Sequence, residues 1–382
     1  MKHAHPGRLT RRHALRLIGA AGASCGAGAL LGHETLEAQA WLTAKSKSGV
    51  TFPKGAIVRT VLKDVEPQVL QGGATAWHEH VAFGYASPPP PPRTAGQPAP
   101  PGPPLADSLD LVAEELRQAA FDGLSGIVDA NATGRSGRTE EQIAFLKQVA
   151  AKVPKVHILV AGGPFKDPYA PEVVKQSVDE LTETMVRESI AQRWSSMGEI
   201  GTSMKMSADE RKVLTAIAKT HVRTGLPIFS HTEHEGCASC ALQQLDLFES
   251  QGVDLKHLII GHLTDIKPGS EPLGQTAKAI AKRGAFLVFD TVGHQMMMSM
   301  NPEAGKVRYV LEILNAGYED HLLLAADFSQ SPQLKANWGN GFSTVLVQFV
   351  PKLRYAGVSD ATLHKILVDN PLRFLSFVPK RV

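Results

Sequence analysis

Residues 74–84, ATAWHEHVAFG, end a short apolar run with two histidines, His78 and His80, on either side of Glu79. Side chains alternate faces along a strand, so this spacing turns both imidazoles the same way. That suits one metal ion, and it equally suits an ordinary polar strand end. Four further residues change the balance. Glu199 lies in SMGEIG, His231 in PIFSHT, His262 in HLIIGHL and Asp327 in HLLLAAD, all short β-rich runs. A lone histidine is more often a satisfied polar residue than a ligand. Such residues at five strand ends instead predict one shared metal site. Nitrogen and oxygen donors in this mixture suit zinc foremost, and also manganese, cobalt or iron(II). Six ligands exceed the need of one tetrahedral zinc, so two divalent ions are expected, with Glu199 bridging them through its two oxygens. A hydroxide held between two cations forms near neutral pH, because the metals lower its pKa to about 7. It would attack an ester, lactone or phosphoester centre.

These residues meet only if the elements bring them together. Eight strand candidates run through the chain: ATAWHEH (74–80), SGIVDA (125–130), KVHILVAG (155–162), SMGEIG (196–201), PIFSHT (227–232), HLIIGHL (257–263), AFLVFD (285–290) and HLLLAAD (321–327). Helical patterns such as SLDLVAEELRQAAFDG and ADERKVLTAIAKTHVRTG lie between them. Short apolar, β-branched strands imply burial on both faces, as in a parallel sheet. Eight such units predict a (β/α)8 barrel, an α/β fold whose active site forms where the C-terminal strand ends converge. An open α/β sheet is the alternative. No G-x-G-x-x-G follows a strand, which removes the main reason to expect a dinucleotide fold.

Taken together, HEH, GEIGTS, PIFSHT, IIGHL, AAD and the tail LKANWGNGFSTVLVQFVPKLRYAGVSDATLHKILVDNPLRFL resemble the phosphotriesterase family of the amidohydrolase superfamily, from about residue 55 to the C-terminus. The resemblance implies a metal-dependent hydrolase on a distorted barrel of amidohydrolase type with a binuclear centre. It assigns His78, His80 and Asp327 to the more buried metal, His231 and His262 to the more exposed one, and Glu199 to both. It also makes Asp327 the general base. Many members bridge the metals with a carboxylated lysine. Glutamate stands at that position here, as in the phosphotriesterase-related, or phosphotriesterase homology, branch. Lys205 lies beyond the strand end and is not taken as the bridge. Glutamate is an anion without carbon dioxide, and it is shorter, which bears on metal spacing and pocket depth. The family also suggests a homodimer.

The rest of the chain sets the context. Its 382 residues, 43% hydrophobic and 20% charged, are ample for a large core, and a net charge of +3 without a basic–aromatic run argues against nucleic acid as a partner. Residues 1–40 read as a twin-arginine (Tat-type) signal peptide: Arg11 and Arg12 precede a mild Gly/Ala-rich apolar stretch, and LEAQA follows. Export to the periplasm or outside is the expectation, with no stable membrane span in the mature chain. Residues 41–73 form a lead-in, and 74–382 the hydrolase barrel. The Pro-rich stretch 87–104 is expected to be a stiff surface loop. Cys237 and Cys240 are expected to form a local disulfide or to pack as small residues, rather than act in redox catalysis. Weaker substrate-binding candidates are His234, His294 and Arg135, with Arg138 and Asp290 beside them, and the Met-rich run 294–300 is expected to pack against a loop or to form an apolar wall above the barrel mouth. The leading function is an exported binuclear hydrolase of a lactone or carboxylic ester. The alternatives are a phosphotriester or phosphodiester hydrolase with the same centre, and a non-enzymatic exported metal-binding protein.

Overall fold

Every position of seven of the eight barrel strands, and all but the first of the eighth, is apolar or sequestered enough to be buried, which is what a parallel sheet clothed by helices requires. The computed structural model describes residues 39–44, 49–82, 108–233, 236–293 and 301–381. Its strands are β1 (Ala74–Glu79), β2 (Leu124–Asp129), β3 (His157–Gly162), β4 (Trp194–Gly201), β5 (Ile228–His231), β6 (Leu258–Ile260), β7 (Phe286–Phe289) and β8 (Leu322–Leu324). Each pairs in parallel with its neighbours in chain order. Past the end of the ladder, β8 meets β1: Asp327 N donates to His78 O at 3.0 Å, and His80 N donates to Phe328 O at 2.9 Å. The fold is a (β/α)8 barrel, and the open-sheet alternative is set aside.

The helices between strands are α1 (Leu109–Phe121), α2 (Glu140–Lys152), α3 (Val178–Ala191), α4 (Ala208–Thr224), α5 (Ala238–Ser250), α6 (Gln275–Lys282) and α7 (Glu303–Asn315). Three of them start on a capping box: Thr139 with Gln142, Ser177 with Glu180, and Ser207 with Glu210. Each box satisfies two otherwise orphaned N–H groups and is worth about 1 kcal/mol. Opposite the C-terminal rim, Val58–Arg59 pairs antiparallel with Asp64–Val65, and Val61 N donates to Ile158 O near the start of β3 at 2.9 Å. The Trp77 ring stands edge-on to Phe374, 4.6 Å between centres, and to Phe229 at 6.2 Å.

Two ladders break register where the candidate ligands sit. The β1–β2 pairing shifts between Ala76 and Glu79, across His78, and the β4–β5 pairing shifts between Met197 and Ile200, across Glu199. Such irregularities re-aim side chains beside functional sites. Gly198 permits the second one. A Cβ there would fall 2.6 Å from Phe229 O, and its φ of 153° is one that favours glycine. Cys237 and Cys240 are joined by a disulfide at the start of α5. The expected signal peptide and the Pro-rich stretch 87–104 lie outside the described residues, as does the Met-rich run. Among the described residues, no helix is long and apolar enough to cross a membrane.

Candidate metal centre

The barrel brings all six sequence-predicted ligands to one rim. Their side chains are buried, His80 the most open at 7% exposed. The alternation that sends His78 and His80 to one face works here: His78 Nε2 lies 3.5 Å and His80 Nε2 3.2 Å from Asp327 Oδ1. Glu199 reaches both sides. Its Oε2 is 3.2 Å from His78 Nε2 and 3.5 Å from His231 Nε2, and its Oε1 is 3.5 Å from His80 Nε2. The His231 and His262 rings stand 4.2 Å apart. His78, His80 and Asp327 each offer one donor atom within 4.8 Å of the others, and so do His78, Glu199 and His262. His231 stands beside the second group rather than in it.

Ligand-bearing backbone is held in an uncommon conformation at two points. His262 and Asp327 have φ of 54° and 51°, in the left-handed region that non-glycine residues seldom occupy. Such residues cluster at functional sites because the surrounding structure must hold them there.

Carboxylates behind the ligands do that holding. Asp290 Oδ2 is 3.0 Å from His78 Nδ1, which leaves Nε2 to face the centre. Asp290 also accepts from the His262 backbone N–H, at 3.0 and 3.2 Å. Glu79, between the two histidines, points the other way and accepts from Ala326 N at 3.1 Å and Phe328 N at 2.7 Å, so it fixes the backbone on both sides of Asp327. Burial pushes the Glu79 carboxyl up to about 8 against those two bonds. Asp129, at the end of β2, takes Val81 N at 2.6 Å and Ala82 N at 3.0 Å, just beyond His80. Arg138 braces Asp129 from behind at 3.0 Å and donates to Ala161 O at 2.9 Å.

The electrostatics ask for positive charge. Burial opposes a charged His78, but Asp327, Glu199 and Asp290 outweigh it and hold its pKa well above 6.5. Burial likewise opposes the Asp327 carboxylate, yet His78, His80 and His262 hold it well below the usual range. The donor set fits a cation on a second ground. Although His78 Nε2 and Glu199 Oε2 are only 3.2 Å apart, neither makes a hydrogen bond, and both are buried. Two orphaned donors of opposite character aimed at one space are costly unless something binds both. His78, His80, Glu199, His231, His262 and Asp327 are therefore groups that could hold metal.

A sequence model of the phosphotriesterase family matches residues 57–375. The chain belongs to the phosphotriesterase family. Among its relatives is an N-acetyltaurine hydrolase from Danio rerio, 28% identical over 355 residues, covering 84% of this chain and 98% of the relative. The crystal structure of the phosphotriesterase homology protein from Escherichia coli, with phosphate in its active site, is 25% identical with a TM-score of 0.66. It covers 81% of this chain and 100% of that one. A lactonase from Listeria monocytogenes shares the fold at 23% identity and a TM-score of 0.67, over 84% of this chain and 99% of that one. The chain is thus a hydrolase of the phosphotriesterase family, which acts on small molecules.

Of the weaker candidates in this phosphotriesterase-family barrel, the two arginines stand apart from the centre and Asp290 stands behind it. Arg135 is exposed and pairs with Glu172 at 3.2 Å, while Arg138 is buried in the Asp129 brace. Asp290 faces histidines rather than an open pocket. His234 and His294 lie outside the described residues. Sequence reasoning missed the parts played by Glu79, Asp129 and Asp265, the last 3.4 Å from His262 Nδ1. The signal available was their position: Glu79 and Asp265 lie within three residues of a candidate ligand, and Asp129 is the acidic residue that ends β2.

Proposed function

We propose that this protein is an exported hydrolase with a two-metal centre, zinc foremost, that cleaves a lactone or small carboxylic ester. The observation that supports it is the convergence of four imidazoles and two carboxylates on one buried rim, with Glu199 touching both sides. His78, His80 and Asp327 would hold one ion, His231 and His262 the other, and Glu199 both. When bound, the ions supply Lewis acidity at the carbonyl and acidify water to a pKa near 7. Asp327 would take the proton from the attacking water at a carboxylate oxygen, since its neighbours keep it ionised. Asp290 holds the His78 tautomer, and Glu79 holds the backbone on which Asp327 rides. Comparing kcat/KM across lactones, aryl esters and phosphotriesters tests the reading. Lactones and esters should rank first, and a clear preference for phosphotriesters would overturn it.

A second reading concerns the bond. Relatives covering 84% of the chain are N-acetyltaurine hydrolases, which favours a carboxamide over an ester. The same centre would serve, so a small N-acyl amide belongs in the panel. Export rests on Arg11 and Arg12 ahead of the apolar stretch. Replacing both with lysine should leave the protein inside the cell, and unchanged export would sink that part.

A further inference from the structure

Two charged side chains stand at the rim without a part in the chemistry above. Lys166 follows β3, Glu233 follows β5, and they meet with Nζ donating to Oε2 at 2.8 Å, each side chain 22% exposed. The ammonium stands 5.9 Å from the centre of the Phe165 ring. That ring lies edge-on against His231, 4.9 Å between centres. The backbone beneath is pinned, with Phe165 N donating to Thr133 O at 2.8 Å and Gly201 N donating to Phe165 O at 2.5 Å. Gly201 lets the two loops close up. A Cβ there would fall 3.3 Å from both Phe165 Cε2 and Lys166 Cβ, and 3.5 Å from His231 Nδ1. A positive charge is thereby fixed one aromatic ring away from a candidate metal ligand.

Exposed ion pairs contribute about 1 kcal/mol or less, so stability alone is a weak reason for this pair. The nearby arginines are committed, Arg138 to Asp129 and the Ala161 carbonyl, and Arg135 to Glu172. Among the described residues, Lys166 has one charged partner, a carboxylate on a different loop, and that partner can be exchanged. The geometry points to Lys166 as the residue that selects substrates bearing a carboxylate or sulfonate away from the bond being cleaved. This rests on the hydrolase reading above. With no substrate, Glu233 satisfies the ammonium. On binding, the substrate's anion takes the place of Glu233 on the ammonium, one charge-assisted hydrogen bond replaces another, and the displaced Glu233 carboxylate, 22% exposed, is taken up by water. A neutral substrate of the same size gains nothing from the exchange.

The test pairs 3-acetoxypropanoate with n-butyl acetate, assayed by pH-stat on the metal-loaded full chain. The wild type should favour the anion. Lys166→Met should lower kcat/KM for 3-acetoxypropanoate roughly tenfold or more, through KM, with n-butyl acetate unaffected. Lys166→Arg should restore most of the preference, and Glu233→Gln, which removes the competitor, should lower KM for the anion. 2-Sulfoethyl acetate against n-propyl acetate separates sulfonate from carboxylate. A Lys166→Met protein that loses both esters alike, loses metal, or loses neither ester would overturn the assignment. If the wild type cleaves no ester, the hydrolase reading of the bond fails by itself. Calorimetric binding of 3-acetoxypropanoate to wild type and Lys166→Met then decides the role of Lys166: tighter binding in the wild type supports it, and equal binding overturns it.

Discussion

Asp327 and Asp290 are both carboxylates at strand ends, yet their surroundings separate them. Asp327 lies beside the imidazole nitrogens that face the centre, and Asp290 grips His78 from behind at Nδ1. On the proposed reading, Asp327→Asn keeps the shape and removes the proton acceptor. Turnover should fall by at least about a hundredfold while much of the metal stays bound. Full activity in that variant would refute the role. Asp290→Asn should act through the ligand instead, weakening metal affinity or activity by about ten- to hundredfold. A metal titration showing wild-type affinity, together with wild-type rates, would remove Asp290 from the centre. The six candidate ligands were legible because histidine and acidic side chains stand out at the ends of apolar runs. Their supports were not. The His78–Asp290 contact spans 212 positions, and a strand-end aspartate looks the same in sequence whether it faces a substrate or a ligand's far nitrogen. Arg135 and Arg138 show the same limit: three residues apart, one is exposed and the other buried.

At the scale of elements, all eight strands could be read from their short, largely apolar runs, and their ends differ for a physical reason. HLLLAAD reads as strand through Asp327, but the β8 ladder stops at Leu324. Ala325 N still donates to Phe289 O at 3.0 Å, and from Ala326 on the chain is held by Glu79 and the backbone of β1, with Asp327 in the left-handed region. The link between α4 and the turn before β6 carries a pH prediction. His221, near the end of α4, has Nδ1 2.7 Å from Leu226 O, and its Nε2 accepts from Asp254 N at 3.2 Å. That pairing requires the neutral ring. Burial lowers its pKa from 6.5 to about 4, with His257 and Lys380 adding to the effect and the Leu226 carbonyl and Asp254 opposing it. Between those values the unfolded chain binds a proton that the folded chain refuses. Stability from this group is whole above pH 6.5 and drains as pH falls towards 4, by about 3 kcal/mol in all. Urea unfolding of chelator-treated protein at pH 7 and pH 4.5 should show this extra loss in the wild type and not in His221→Gln. Equal losses in both proteins would refute the link.

At the scale of the whole molecule, the candidate ligands come from β1, β4, β5, β6 and β8, so a bound metal ties together strands that are not neighbours in the sheet. It also sits where the barrel closes, since His78 and His80 on one side and Asp327 on the other belong to the first and last strands. Metal should therefore stabilise the fold as well as serve chemistry. An ion that binds only the folded chain contributes about 4 kcal/mol when its free concentration is a thousandfold above Kd. In a barrel of this size that is a Tm shift of several degrees. Metal analysis of the purified protein should find about two equivalents per chain. Chelation should lower Tm, and re-addition of zinc should restore it. The bridge distinguishes two ions from one. Glu199→Gln removes the shared anion while leaving His78, His80 and Asp327 in place, so content should drop towards one equivalent and part of the Tm shift should survive. Two equivalents retained in that variant would mean that Glu199 does not join the ions. A chelated protein with an unchanged Tm would mean that the buried cluster holds itself together by protons and hydrogen bonds alone.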